Sequence, residues 1–162
     1  MKQEFARMIK ESVHDLFVAF LDMEVTPGPM VTKKEDDLYR PPDTEVTAII
    51  NFSGGLQGGV HLASPRHTAM QLCHVFAGEE FQELFGEAGD AFGELNNVIA
   101  GGLQTRLSEQ FGNINLTPPT LIAGTDYKMQ YKTNFHSIKQ YFKCEHGPFF
   151  VEFFFHLEGY TP

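Results

Sequence analysis

Apolar residues recur every third or fourth position near the start of the chain. Phe5, Ile9, Val13, Leu16, Phe17 and Phe20 fall on one face, so residues 4–21 are predicted to form an amphipathic helix ending near Asp22. VTPGPM follows, with Pro27 and Pro29 bracketing a glycine, and predicts a break in regular structure. A polar loop then carries KKEDD at 33–37 through to Pro41 and Pro42. The period changes to two at Glu45, where EVTAIINF, an SGG turn and LQGGVHL predict a β-hairpin over 45–62. The Gly58–Gly59 pair in its second arm predicts a bulge or a close backbone approach. Ser64-Pro65 reads as a helix start, a hydroxyl cap before a proline at the first helical position. That helix packs through Ala69, Leu72, Cys73 and Phe76 and stops at Gly78. After the acidic link EEFQELFGE, a long helix runs from about Gly89 to Phe111 and ends at Gly112. INL, TLIAG, IKQYFKC and FFVEFFFHL then read as short strands, with EHG at 145–147 as the last turn.

The order of elements predicts an α+β fold with helices packed on one antiparallel or mixed β-sheet. At 162 residues the chain makes a single domain, 1–162, with an N-terminal helix in 1–22 and C-terminal strands in 126–162. In FFVEFFFHL, Phe149, Val151, Phe153 and Phe155 lie on one side, Phe150 and Phe154 on the other. A strand apolar on both faces belongs in the middle of a sheet, or pairs across a subunit boundary.

The long helix contains DAFGELNNVIAGG, which puts two asparagines and two glycines inside an otherwise good helix, against their propensity. At 100° per residue from Asp90, Glu94 falls near about +40°, Asn97 near about −20° and Gly101 near about +20°. Gln104 and Ser108 continue that line, while Ala91, Leu95, Val98, Ile99 and Gly102 take the core side. Glu94 and Asn97 thus share a solvent-facing stripe, and Gly101 leaves room beside Asn97 for an incoming surface. Gly102 is explained by packing; Gly101 is not. Asn96 lies off the stripe, near about 240°, so its replacement is expected to matter little to turnover.

Composition narrows the chemistry. The chain is 42% hydrophobic and 13% aromatic, with sixteen Phe and no Trp, enough for a large core. A net charge of −9 argues against nucleic acid and against an anionic membrane surface as partners. Nothing resembles a signal peptide or a membrane span, and Cys73 and Cys144 form no C-x-x-C pair, so both are read as reduced thiols of a cytoplasmic protein. His67 and His74 could share a helix face with Cys73 beside them. A closed zinc site needs about four ligands, and no further partner is evident, so no metal is expected. GGLQGG lacks the lysine and hydroxyl of a phosphate-cradling loop, and there is no G-x-S-x-G elbow.

GELNNVIAGGLQTRL resembles the helix of the CheX-type chemotaxis phosphatases, relatives of CheC and of the flagellar-switch phosphatase FliY. The family pattern is Asp or Ser, then Glu, then Asn, with a proline further on. Here it falls on Asp90, Glu94, Asn97 and Pro119, the proline arriving a residue early, which bears only on its own role. FSGGLQGGVHLASPRHTAMQLCHVFAGEE looks like the family's glycine-rich hairpin, helix and glycine stop, so residues 45–125 match best. CheC-type members carry a second Glu-x-x-Asn on the amino-terminal helix. In IKESVHDLF, Glu11 is followed by His14 instead, so one site is expected, the CheX arrangement.

The resemblance implies a protein-aspartyl-phosphate phosphatase acting on a CheY-like response regulator in chemotaxis or two-component signalling. Asn97 would orient the attacking water. Glu94 would pair with the regulator's active-site lysine, and Asp90 would be a structural or rim contact. Gly101 and Gln104 complete the expected partner-binding stripe. Mg²⁺ is expected on the phosphorylated partner, with no cofactor or metal on this chain. A homodimer is implied, since CheX-type proteins are dimers whose sheets join. Two rivals stay open: a non-catalytic module of the same fold that binds a response regulator or flagellar-switch component, and a small-ligand-binding protein using the aromatic sheet.

Overall fold

A strand apolar on both faces must be covered on both, and the final one is. In the computed structural model, which describes residues 1–32, 44–124 and 135–158, strand β7 (Gly147–His156) lies between β6 (His136–Cys144) and β3 (Gln57–Ser64). Among the described residues, seven strands form one sheet in the order β1-β6-β7-β3-β2-β4, with β5 also paired to β2. Here β1 is Val25–Thr32, β2 Val46–Gly54, β4 Ile114–Leu116 and β5 Thr120–Ala123. Every pairing is antiparallel. KKEDD, Pro41 and Pro42 lie outside the described residues, as does part of the 126–162 region.

Among the described residues, three α-helices pack on one face of the sheet: α1 (Lys2–Leu16), α2 (Arg66–Ala77) and α3 (Glu87–Phe111). Phe5 meets Phe153 and Phe155 edge-on at 5.2 and 4.9 Å, and Phe17 stacks on Phe149 at 5.5 Å. Each such ring, fully buried, contributes about 1.5–3 kcal/mol through removal from water. The other side of β7 sends Phe150 into a second cluster with Val31, Ala63 and Tyr141, while Phe154 lies against the His61 ring at 4.8 Å. Also on that face, His61 Nδ1 lies 3.5 Å from Glu152 Oε1, both side chains buried.

The hairpin forms as its pattern predicts, and Gly58 and Gly59 mark a close approach. A Cβ on Gly58 would sit 2.0 Å from the Phe154 carbonyl oxygen, and one on Gly59 would sit 2.4 Å from that of Ile50.

Three local expectations are corrected. VTPGPM is not a break but part of edge strand β1, and the register slips between Pro27 and Met30. Proline lacks a donor, and an edge strand with a bulge is where that costs least. Phe20 is 53% exposed, because Phe17–Leu21 form a π-helical turn that shifts the side-chain phase before Asp22 turns left-handed (φ 48°). Ser64 caps nothing; its hydroxyl donates to the Pro65 carbonyl. The Glu45 carboxylate takes the cap's place, accepting from the Arg66 backbone N–H at 3.2 Å.

Candidate functional site

Helix α3 is held against the sheet by its apolar side and by one amide. Ala91, Phe92, Leu95, Ile99, Leu103 and Leu107 are buried. Asn96 is 0% exposed, and its Nδ2 donates to the carbonyls of Ala48 (3.0 Å) and Val60 (3.1 Å), on the paired strands β2 and β3. Both amide hydrogens are used, while the buried Oδ1 has no partner. Asn96 thus lies off the outward stripe, as expected: near about 240° its side chain points into the sheet, and it ties the helix there. The helical wheel held that signal, since Asn96 falls between the core positions Leu103 and Leu107.

With the helix so fixed, Asp90 and Glu94 are exposed and Asn97 is half-buried on the outward side. Among the described residues, neither the Glu94 nor the Asn97 side chain makes a hydrogen bond or ion pair. Gly101, one turn on, has open space where a Cβ would be, whereas a Cβ on Gly102 would meet Ser12 Oγ at 3.0 Å. Gln104 is engaged locally: its Nε2 donates to the Ile114 carbonyl at 2.6 Å, and Ser108 donates back to the Gln104 carbonyl. The outward stripe is thus open from Asp90 to Gly101 and then turns to holding β4.

Pro119 lies beside this ridge. A Cβ on Gly93 would approach the proline's Cβ and Cγ to 3.1 Å, so the missing side chain lets the β4–β5 connection press against the helix next to Glu94. A surface groove of about 310 Å³ results, walled by Phe85, Asp90, Glu94, Pro119 and Leu121. Sequence reasoning did not single out Phe85. Its signal was a large apolar residue inside an acidic, turn-forming link.

Helix α1 offers no equivalent. Glu11 is paired with Arg7 (2.8 Å) and with Arg106 (3.1 Å), and these guanidiniums, Arg7 foremost, hold its carboxyl below the usual carboxylate range. Arg106 also reaches Asp15 at 2.8 Å. Among the described residues, no three His, Cys, Asp or Glu side chains are grouped to hold a metal ion, and His67 and His74 gain no third ligand. Both cysteines are free and buried; burial pushes the Cys73 thiol up to about 12. Among the described residues, no helix is long and apolar enough to cross a membrane.

Three helices on one seven-stranded antiparallel sheet, with an unengaged acid and amide on the longest helix, define a CheC/CheX-like α+β protein. The family model described as chemotaxis phosphatase CheX matches residues 46–143, and the chain belongs to that family. The CheY-P phosphatase CheX of Thermotoga maritima is 32% identical over 90 residues, 55% of this chain and 57% of that protein. The match therefore spans a little over half the length of that curated relative. A CheX chemotaxis protein from Vibrio vulnificus superposes with a TM-score of 0.81 at 21% identity, over 94% of this chain and 99% of that one. CheX of Borrelia burgdorferi, solved with CheY, BeF3 and Mg²⁺, gives 0.72 at 18% identity, over 94% and 98%. At those identities the two structures bear on the fold alone.

Proposed function

We propose that this protein hydrolyses the phospho-aspartate of a CheY-like response regulator, with Asn97 aiming the water and Glu94 fixing the docked register. The observation that carries this reading is the Glu94–Asn97 ridge, free of local partners and bordered by open space at Gly101. Family membership and the Thermotoga relative's CheY-P phosphatase activity support it.

The chemistry suits so sparse a site. An acyl phosphate is already activated, so catalysis is mostly placement. Water oxygen bonds to phosphorus as the bond from phosphorus to the aspartate oxygen breaks, leaving a carboxylate and inorganic phosphate; the phosphate keeps one of the water's protons and the other passes to solvent. The Asn97 amide can accept from the water and donate to a phosphoryl oxygen, and it carries no charge to repel that group. Glu94 pairs with the regulator's lysine, and the regulator brings its own Mg²⁺. Asp90 is a rim contact. The setting is cytoplasmic two-component signalling.

A homodimer whose sheets join would have to use an outer strand, since β7 is flanked within the chain by β6 and β3. Pro27 and Pro29 blunt the β1 edge, which favours β4 and β5.

The test is release of phosphate from phosphorylated CheY-like proteins. Asn97→Ala should leave the fold and docking nearly intact and abolish stimulated dephosphorylation; full activity in that variant would remove Asn97 from the mechanism. Regulator binding without any phosphate release by the wild type would instead identify a non-catalytic docking module.

A further inference from the structure

Phe85 is the most exposed large apolar side chain among the described residues, at 64%. The others, Met1, Val18 and Phe20, belong to the amino-terminal helix and its π-helical extension, and Phe20 leans on Phe76 at 6.0 Å. Among the described residues Phe85 has no ring partner, yet its backbone is not loose. Leu84 before it is buried, and the Gly86 carbonyl after it accepts from the Asp90 N–H at 2.9 Å. The turn therefore holds the ring out at the mouth of the groove that ends at Glu94.

We propose that Phe85 is the apolar anchor of the regulator-docking surface. It packs, together with Pro119 and Leu121, around an apolar side chain that stands next to the lysine paired by Glu94. The inference rests on the proposed phosphatase reading and adds to it a requirement on the partner: an apolar residue flanked by a cation. Groove chemistry supports that occupant, because apolar walls meet the carboxylates of Asp90 and Glu94, and among the described residues no Lys or Arg lines the space. A second copy of this chain fits less well, since a net charge of −9 would set acid against acid. A large exposed ring beside a partly closed cleft is of the residue class enriched where protein surfaces meet.

The experiment is steady-state dephosphorylation of a phosphorylated CheY-like regulator by wild type, Phe85→Ala, Phe85→Leu and Asn97→Ala, with thermal melts alongside. Phe85→Ala should raise KM about tenfold with kcat within about twofold, and Phe85→Leu should recover most of the loss. If the alanine variant melts early, Phe85→Gln replaces it. An unchanged KM, or a fall in kcat alone, overturns the anchor while loss of turnover in Asn97→Ala leaves the phosphatase reading standing. Full turnover in Asn97→Ala overturns the reading itself.

Discussion

Placing a methyl group on Gly101 separates what the helix needs from what the site needs. A Cβ there has no heavy atom within 4 Å, and the residue is not among those with positive φ, so alanine fits without strain. Replacing an unstrained helical glycine with alanine gains about 1 kcal/mol. For a domain of this size that corresponds to a melting point higher by about 2–4 °C. Gly102, the next residue, is the internal control. Its Cβ would meet Ser12 Oγ at 3.0 Å, Ser12 Cβ at 3.1 Å and Arg106 Nη1 at 3.3 Å, so the propensity gain is spent moving α1. Gly102→Ala should therefore gain nothing or lose stability. The site responds the other way. Gly101→Leu keeps the fold but fills the space one turn from Asn97, and should raise KM for the phosphorylated regulator by about tenfold, or ~1.4 kcal/mol. Calorimetric melts and phosphate-release kinetics on the same preparations decide it. A wild-type KM in Gly101→Leu would show that the open ridge is not docking space. Stabilisation by Gly102→Ala without stabilisation by Gly101→Ala would refute the packing argument.

Removing the Asn96 amide should destabilise the fold without touching the outward ridge. Asn96→Ala loses two buried hydrogen bonds at about 1 kcal/mol each and relieves one orphan oxygen, a net loss of about 1–3 kcal/mol by urea denaturation; an unchanged midpoint would refute the tie. Glu94→Lys should leave stability alone, because the side chain has no local partner, and raise KM through repulsion of the regulator's lysine. An unchanged KM would count against the docking role. With its thiol pushed up to about 12, native Cys73 is almost entirely protonated at pH 8. Iodoacetamide should label it only after unfolding, by mass spectrometry; rapid native labelling would contradict the burial.

Helices and the central hairpin were legible because their periodicity is strong and their ends are marked by glycine, as at Gly78 and Gly112. The outward stripe was legible for the same reason, one angle per residue along a long helix. What failed was local chemistry that depends on another element. VTPGPM could not be read as a strand, because proline is tolerated there only through the edge position that topology assigns. The cap of α2 comes from Glu45, whose carboxylate reaches it only once the hairpin has folded. Phe20 left its predicted face because a π turn carries no simple sequence mark. Asn96 was legible as a position off the outward stripe, but its role as a tie was not, because the two strand carbonyls beneath it come from other elements.

The paired glycines show how one helix can serve two approaches at once. Successive residues point about 100° apart, so Gly101 and Gly102 open different sides of α3. On the Gly102 side α1 comes close enough for Arg106 to hold the Gly102 carbonyl at 3.1 Å while reaching Glu11 and Asp15. That same reach occupies the one acid on α1 whose spacing resembles the Glu-x-x-Asn pattern. Glu11 is thus neutralised by the contact that lets α1 pack, and His14 supplies no amide in place of Asn97. On the Gly101 side nothing arrives from the described residues, and among them Glu94 has no ion-pair partner. A second docking acid on α1 would require breaking the ion pairs that join the two helices, so the fold itself favours a single ridge.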